Sequence, residues 1–364
     1  MREWIKKWML TICVSAVVFC LMQANIYATE VTEPQEPETI EYTVVKEKEK
    51  ILMIPGETRM VSTIVPADSI LESSDTSVLG VANSGLLEAR KAGTAIVTHT
   101  TGNTKTIYTV KVNEAVDLIV FAGQSNMCGS GGNAVFAPTP RYGTAYEFDI
   151  TTDSHHTILM KEPFGEGTNR ANGLESTGKY STNGTLVSAF CINYYKQTKT
   201  PVVGVSCAWG GSSTNTWLKR GLLATTKKNL KLAKKQLKKK NVKIRHIYMV
   251  WYKGESDAMQ GNTEGTYISR MKKIYKKMKK VGVEKVFVIR IGHNFAAPDM
   301  NYTIMKAQEN LCSTNKNFIL VSKKACRYDR SYYSDTIHLN QKALNAIGYE
   351  AGKAAGKYVK KLKK

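Results

Sequence analysis

The heptapeptide Phe121-Ala122-Gly123-Gln124-Ser125-Asn126-Met127 follows directly on the apolar run Asp117-Leu118-Ile119-Val120. A β-branched strand that stops at Gly and then offers a hydroxyl between two amides can hold Ser125 as a nucleophile. The carboxyl end of a sheet strand is where open α/β sheets place their sites. The plain alternative is a strand–turn junction, with Gly supplying the conformation and Ser or Asn capping a helix. A serine nucleophile needs N–H donors for an oxyanion, a base, and a group that orients the base. Three further stretches carry those residue types. Adjacent glycines in Ala208-Trp209-Gly210-Gly211-Ser212 let backbone N–H groups approach a ligand oxygen closely. Trp251-Tyr252-Lys253-Gly254-Glu255-Ser256-Asp257 offers carboxylates and a cation. In Asp335-Thr336-Ile337-His338 an Asp three residues before a His can reach its ring on a turn or first helical turn. Singly, these are loop glycines, capping carboxylates and a structural His. Together they make acyl transfer possible.

The elements that must position them follow from periodicity. From Val116 onward apolar runs alternate with helical patterns, which predicts an α/β fold with a parallel sheet and crossover helices. Strands are expected at 117–122, 201–207, 245–251, 285–291 and 317–321. Helices are expected near 183–198, 222–240, 264–280 and 301–313, with a last one from about Asn340 to Lys360. In the third, Tyr267, Met271, Ile274 and Met278 share one face and lysines fill the other. The expected architecture is a three-layer sandwich around a five-stranded parallel sheet, flavodoxin-like in order. All four stretches then lie at carboxyl ends of strands or beside the last helix. Residues 129–182, rich in Gly, Asn, Ser and Thr, read as an irregular excursion over the site rather than core. Lesser candidates are His293, His155, His156 and the aromatic residues Tyr142, Tyr146, Trp209 and Trp217, which suit sugar stacking or burial.

The length of 364 residues suggests about two domains. Arg2, Lys6 and Lys7 precede an apolar run from Met9 to Met22, and Ala28 offers a small residue for cleavage. This reads as a secretory signal peptide over 1–28, with a retained signal anchor as the alternative. An acidic, Pro-punctuated linker over 29–41 follows. Short alternating runs between Gly-containing turns predict a small all-β sandwich over 42–113. The remaining 116–364 is the α/β part. Cys128, Cys191, Cys207, Cys312 and Cys326 show no metal-ligand spacing, and only Cys312 with Cys326 lie close enough to suggest a disulfide. The net charge of +22 comes largely from lysine pairs in the later half, which read first as solvated helix faces. Export disfavours nucleic acid as a partner, and such charge suits an anionic cell-wall polymer.

Two family resemblances attach to these residues. The ordered set of Gly123 to Met127, Gly210-Gly211-Ser212 through Trp217, Trp251 to Asp257 and Asp335 to His338 resembles the SGNH hydrolase superfamily. It is most similar to the sialate O-acetylesterase and carbohydrate esterase family 6 branch, over roughly 116 to 360. That resemblance implies a carbohydrate O-acetylesterase acting on an acetylated xylan or sialic acid-like substrate, with no metal or organic cofactor. It implies Ser125 as nucleophile and His338 as base. Asp335 orients the base, or Glu255 does, as some relatives are read. Gln124, Gly210, Gly211 and position 253 lie around the oxyanion. The family's Gln stands as Lys253 here, which raises the alternative of a catalytically impaired, glycan-binding protein. Residues 42–113, with Pro55-Gly56-Glu57, Ser73-Ser74-Asp75, Asn83-Ser84-Gly85-Leu86 and a closing Tyr108-Thr109-Val110-Lys111-Val112, resemble the bacterial Ig-like group 2 domain, a spacer or adhesive module.

Overall fold

A computed structural model describes residues 41–47, 50–151, 157–171 and 183–362. The expected signal peptide, almost all of the acidic linker, and His155 and His156 lie outside the described residues. From Val44 onward the chain forms one compact unit. Its first part is built from β-strands alone: β1 (Thr43–Lys46), β2 (Ile51–Met53), β3 (Thr58–Met60), β4 (Ile70–Ser73), β5 (Leu79–Val81), β6 (Leu86–Ala89), β7 (Gly93–Thr101) and β8 (Thr104–Val112). They form one sheet in the order β1-β8-β7-β4, with β2 also on β8, and a second in the order β3-β6-β5. Alternation in β6 and β7 turns Leu87, Ala89, Ala95 and Val97 into a core of their own with Met53 and Leu71.

The second part holds a seven-stranded sheet. Its strands are β9 (Ala115–Gly123), β10 (Ala145–Phe148), β11 (Thr157–Leu159), β12 (Val202–Ala208), β13 (Lys243–Tyr252), β14 (Lys285–Ile289) and β15 (Phe318–Ser322). The order is β11-β10-β12-β9-β13-β14-β15. Six strands are parallel and β11 adds an antiparallel edge. All five expected strands are present, and among themselves they take the flavodoxin-like order 2-1-3-4-5. The expectation of five strands is nevertheless corrected to seven, because β10 and β11 come from the supposed excursion at 129–182. β10 is fully buried, so part of that segment is core. Its signal was hidden by Glu147, a carboxylate inside a buried strand, which accepts the Gly165 N–H at 2.9 Å. Burial pushes that carboxyl well above the usual range.

Helices cover both faces of this sheet. They are α1 (Ser125–Cys128), α2 (Glu166–Ala171), α3 (Val187–Thr198), α4 (Thr214–Lys219), α5 (Leu222–Lys239), α6 (Glu255–Met259), α7 (Glu264–Lys279), α8 (Tyr302–Thr314) and α9 (Gln341–Lys361). Phe121 meets Phe190 of α3, and Phe287 meets Tyr358 of α9, on one face. On the other, Trp251 meets Trp217 of α4 and donates to the Tyr267 hydroxyl of α7 at 3.2 Å. Strands buried on both sides read as continuous apolar runs, as β9 and β12 do. The exception in β9 is Asp117, which accepts from Tyr194 at 2.7 Å and from Arg245 at 2.8 Å at the amino end of the sheet. Helix α9 lies close against α3 along Gly348, Gly352 and Gly356. A side chain at Gly352 would come within 2.1 Å of the Phe190 carbonyl oxygen.

The two parts share a boundary of specific contacts. Tyr146 of β10 donates to Glu57 at 2.7 Å, the Arg141 guanidinium donates to Lys50 O at 2.6 Å, and Ile54 joins the core of the larger part. The expected Cys312–Cys326 disulfide is not formed; both thiols are free. Cys312 sits on α8, and the Cys326 thiol donates instead to Lys323 O at 2.9 Å. Among the described residues no helix is long and apolar enough to cross a membrane.

Candidate active site

Strand β9 ends at Gly123, and Ser125 opens α1 immediately after it. Gly123 is required by close approach, since a Cβ there would lie 2.2 Å from Tyr252 O of the neighbouring strand. Its own carbonyl accepts the Trp209 N–H at 3.1 Å, which draws the loop after β12 alongside. Gln124 is extended, and its carbonyl accepts the Met127 and Cys128 N–H groups, closing the turn. As the first helical residue Ser125 has no intrahelical acceptor for its own N–H. Its side chain is mostly buried, and its hydroxyl makes no hydrogen bond among the described residues.

Asp335 and His338 sit on a tight loop, not on the first turn of the last helix as one reading allowed. A bridge between Tyr333 and Leu339 closes the loop, with Ser334 N–H donating to His338 O at 2.8 Å. Asn340 then caps α9 through the Ala343 N–H at 3.1 Å. His338 Nδ1 lies 2.6 Å from Asp335 Oδ2. Asp335 Oδ1 accepts the Ile337 and His338 N–H groups at 2.8 and 2.7 Å. Partial burial works against its charge, but the hydrogen bonds from the His338 ring and these two N–H groups prevail. The carboxyl is held below its ordinary value.

Asn126 ties this loop to the serine turn. Its Nδ2 donates to Ile337 O at 3.1 Å and to Glu255 Oε1 at 2.9 Å, and its Oδ1 accepts the Leu339 N–H at 3.0 Å. Glu255 is buried; its other oxygen accepts the Gly254 N–H at 3.0 Å. The two candidate partners of the base are therefore separated: Asp335 reaches the His338 ring, whereas Glu255 holds Asn126. Gly131 packs against the far side, where a side chain would come within 3.0 Å of His338 Cβ.

Lys253 is fully buried and points inward. Its ammonium donates to the Ser212 carbonyl and to Gln124 Oε1 at 3.3 Å, with Asp257 Oδ2 at 3.8 Å. It thus joins the loops after β9, β12 and β13. Burial pushes its ammonium down to about 8, while Asp257 and Glu255 pull the other way. Asp257 is independently satisfied by Thr214 N–H at 2.9 Å and Asn262 at 3.0 Å. Gly210 and Gly211 enter the same loop, Gly211 with φ 62° and open space where a side chain would stand.

Other sequence candidates are used elsewhere. His293 lies 2.8 Å from Cys326 O through Nε2 and serves its own loop. Tyr146 and Trp217 are buried, Trp217 donating to Ser212 Oγ at 3.1 Å; Tyr142 is exposed beneath the Arg59 guanidinium. Sequence reasoning gave Asn126 no role beyond its place in Gly-Gln-Ser-Asn-Met. It also gave none to Tyr267, which together with Gln308 donates to the Lys253 carbonyl at 3.0 and 2.8 Å. A buried amide has no periodic signature; only its fixed place beside Ser125 marked it. Among the described residues no group of His, Cys, Asp or Glu is arranged to hold a metal.

The family model described as "Carbohydrate esterase, sialic acid-specific acetylesterase" matches residues 115–357. No curated protein matches the chain in sequence. A protein from Arabidopsis thaliana is similar at 19% identity and TM-score 0.49, over 66% of this chain and 97% of that one. A carbohydrate acetylesterase from Xanthomonas citri is similar at 12% identity and TM-score 0.41, over 88% and 74%. A variant of an acetyl-xylooligosaccharide esterase from Geobacillus is similar at 12% identity and TM-score 0.38, over 65% and 92%. Likenesses this distant carry no argument; the family match, which spans more than half of the chain, does. The chain belongs to the carbohydrate esterases of the sialic acid-specific acetylesterase family and is an esterase.

Proposed function

We propose that this esterase is a secreted carbohydrate O-acetylesterase, removing acetyl groups from a glycan such as an acetylated xylan or a sialic acid-like sugar. Ser125 Oγ attacks the acetyl carbonyl as His338 Nε2 takes the hydroxyl proton. Asp335, on Nδ1, fixes the ring and stabilises its charged form. The tetrahedral oxyanion is met by the backbone N–H of Ser125 and of Gly210 or Gly211. Gln124 and Lys253 hold the donor loops from beneath. The proton on His338 passes to the sugar oxygen as the ester C–O bond breaks. Water then attacks the acetyl-enzyme, with His338 again as base, releasing acetate and free Ser125. Glu255 acts at one remove, by orienting Asn126.

The observation that carries this reading is the His338–Asp335 contact of 2.6 Å on a loop that Asn126 ties to the Ser125 turn. In the same reading 1–28 is a signal peptide, 29–41 an acidic linker, 42–113 an Ig-like spacer and 116–364 the esterase domain, with an anionic wall polymer as a partner. The mature chain should release acetate from an aryl acetate, and Ser125→Ala should lower turnover by at least about 10³-fold. Equal activity in both would sink the assignment. Lys253, where the family resemblance expects Gln, favours a second reading of an impaired enzyme that retains glycans. Glycan retention without Ser125-dependent acetate release would support it.

A further inference from the structure

The amino-terminal ends of the sheet strands, away from Ser125, border a cleft of about 990 Å³ between the all-β part and the α/β part. Arg90, Lys91 and Lys111 line it from one side, and Lys199, Lys243 and Arg245 from the other; among the described residues Glu114 is the one carboxylate in its wall. Three of the six cations have partners: Arg90 with Glu88, Lys243 with Glu114 and Arg245 with Asp117. Lys91, Lys111 and Lys199 are exposed and form no ion pair among the described residues.

The cleft does not end at its own walls. Lys199 and Arg245 also line a neighbouring depression with Lys196 and Lys360, and Lys243 lines another with Lys234, Lys235 and Lys238. Shared residues set both depressions against the cleft, and we read the three together as one basic groove. A small anion would need one tight cluster, whereas a groove of spaced cations suits a linear chain with an acid group on successive units. Among the described residues no aromatic side chain lines the main cleft, which presents charge rather than stacking surface. The family's chemistry is that of carbohydrates.

We propose that this groove binds a linear acidic polysaccharide, its carboxylates paired with Lys91, Lys111 and Lys199. Strand β9 runs from Ala115 in the cleft wall to the residue before the serine turn. The groove and Ser125 are thus separated by roughly 30 Å of extended chain. The groove retains the enzyme on its polymer while the other end of the sheet stays open. This inference rests on the carbohydrate family and not on Ser125 as nucleophile.

Binding is therefore tested in the Ser125→Ala background, with polygalacturonate as the probe and salt as the variable. Retention should fall steeply with salt. The pair Lys111→Glu and Lys199→Glu should weaken it about tenfold or more. The control pair Lys272→Glu and Lys276→Glu changes net charge equally on exposed positions of α7 and should change it less than about twofold. Lys111→Gln with Lys199→Gln gives a milder check, and unaltered thermal midpoints and aryl-acetate turnover in the Ser125 chain report intact folding. No retention, equal losses in both pairs, equal retention on neutral xylan, or binding of inorganic polyphosphate without polygalacturonate would each overturn the proposal.

Discussion

Asn126 grips the backbone on both sides of His338, accepting the Leu339 N–H at 3.0 Å and donating to Ile337 O at 3.1 Å. The neighbour of the proposed nucleophile thereby fixes the height of the proposed base. Asn126→Ala leaves these groups and the Glu255 carboxylate without their amide. Each buried group so stranded costs about 1–3 kcal/mol. We expect a loss of about 2–4 kcal/mol in denaturant unfolding and a kcat lowered at least about tenfold with little change in KM. Kinetics within twofold of the parent would show that the loop holds itself.

Asp335 should matter more for rate than for folding, because its side chain is half exposed. Asp335→Asn keeps the shape but removes the anion, and comparable changes lower turnover by about 10⁴-fold. The sign of the pH effect follows from its depressed folded-state value. The stabilisation is present above the ordinary Asp value of 3.8 and is lost as pH falls through the lower folded one. Acid unfolding curves of parent and Asp335→Asn should converge below that range and diverge above it. Parallel curves would remove Asp335 from the account.

For Lys253 the sign is opposite to that of a surface lysine. Its folded value of about 8 lies below the ordinary 10.5, so the unfolded chain binds more protons between the two. Stability contributed by this position rises with pH across that window and is lowest below 8, by about 3 kcal/mol. Glutamine can donate to both Gln124 Oε1 and the Ser212 carbonyl without a charge, and Asp257 keeps its other partners. Lys253→Gln should therefore be more stable at neutral pH, lack the alkaline rise, and turn over at least as fast. A tenfold loss of turnover would mean that the ammonium itself serves the reaction.

Gly123→Ala tests how tightly the strand end is set. A methyl 2.2 Å from Tyr252 O forces β9 and β13 apart where both deliver site residues. Overpacking of this kind costs about 1–3 kcal/mol or more, and turnover should fall further than stability alone explains. An unchanged thermal midpoint and rate would show that the strands can part freely.

The legible portion of the fold was the portion written in apolar runs. Strands β9 and β12 are buried on both faces and β13, β14 and β15 carry apolar runs that are largely buried, so all five announce themselves, as do the amphipathic helices α5 and α7. Strand β10 escaped because burial there includes Glu147, and β11 because three half-buried residues carry no period. The candidate site was legible as types and spacing, with Ser125 at a strand end and Asp335 three residues before His338. Which carboxylate faces the imidazole was not, since it turns on the tertiary contact by which Glu255 holds Asn126 while Asp335 reaches the His338 ring. The inward course of the Lys253 stem was equally invisible, because it depends on acceptors from two other loops.

The glycine face of α9 gives the molecule a timetable. The loop with Asp335 and His338 ends at the cap of that helix, and the helix seats on α3 only because Gly348, Gly352 and Gly356 leave room for its backbone. Serine turn, glycine loop and Glu255 all emerge from synthesis long before α9. Non-local docking of that kind comes late in folding. On the proposed mechanism, a partly finished chain would hold the nucleophile without its base, harmless to any ester it meets until α9 docks.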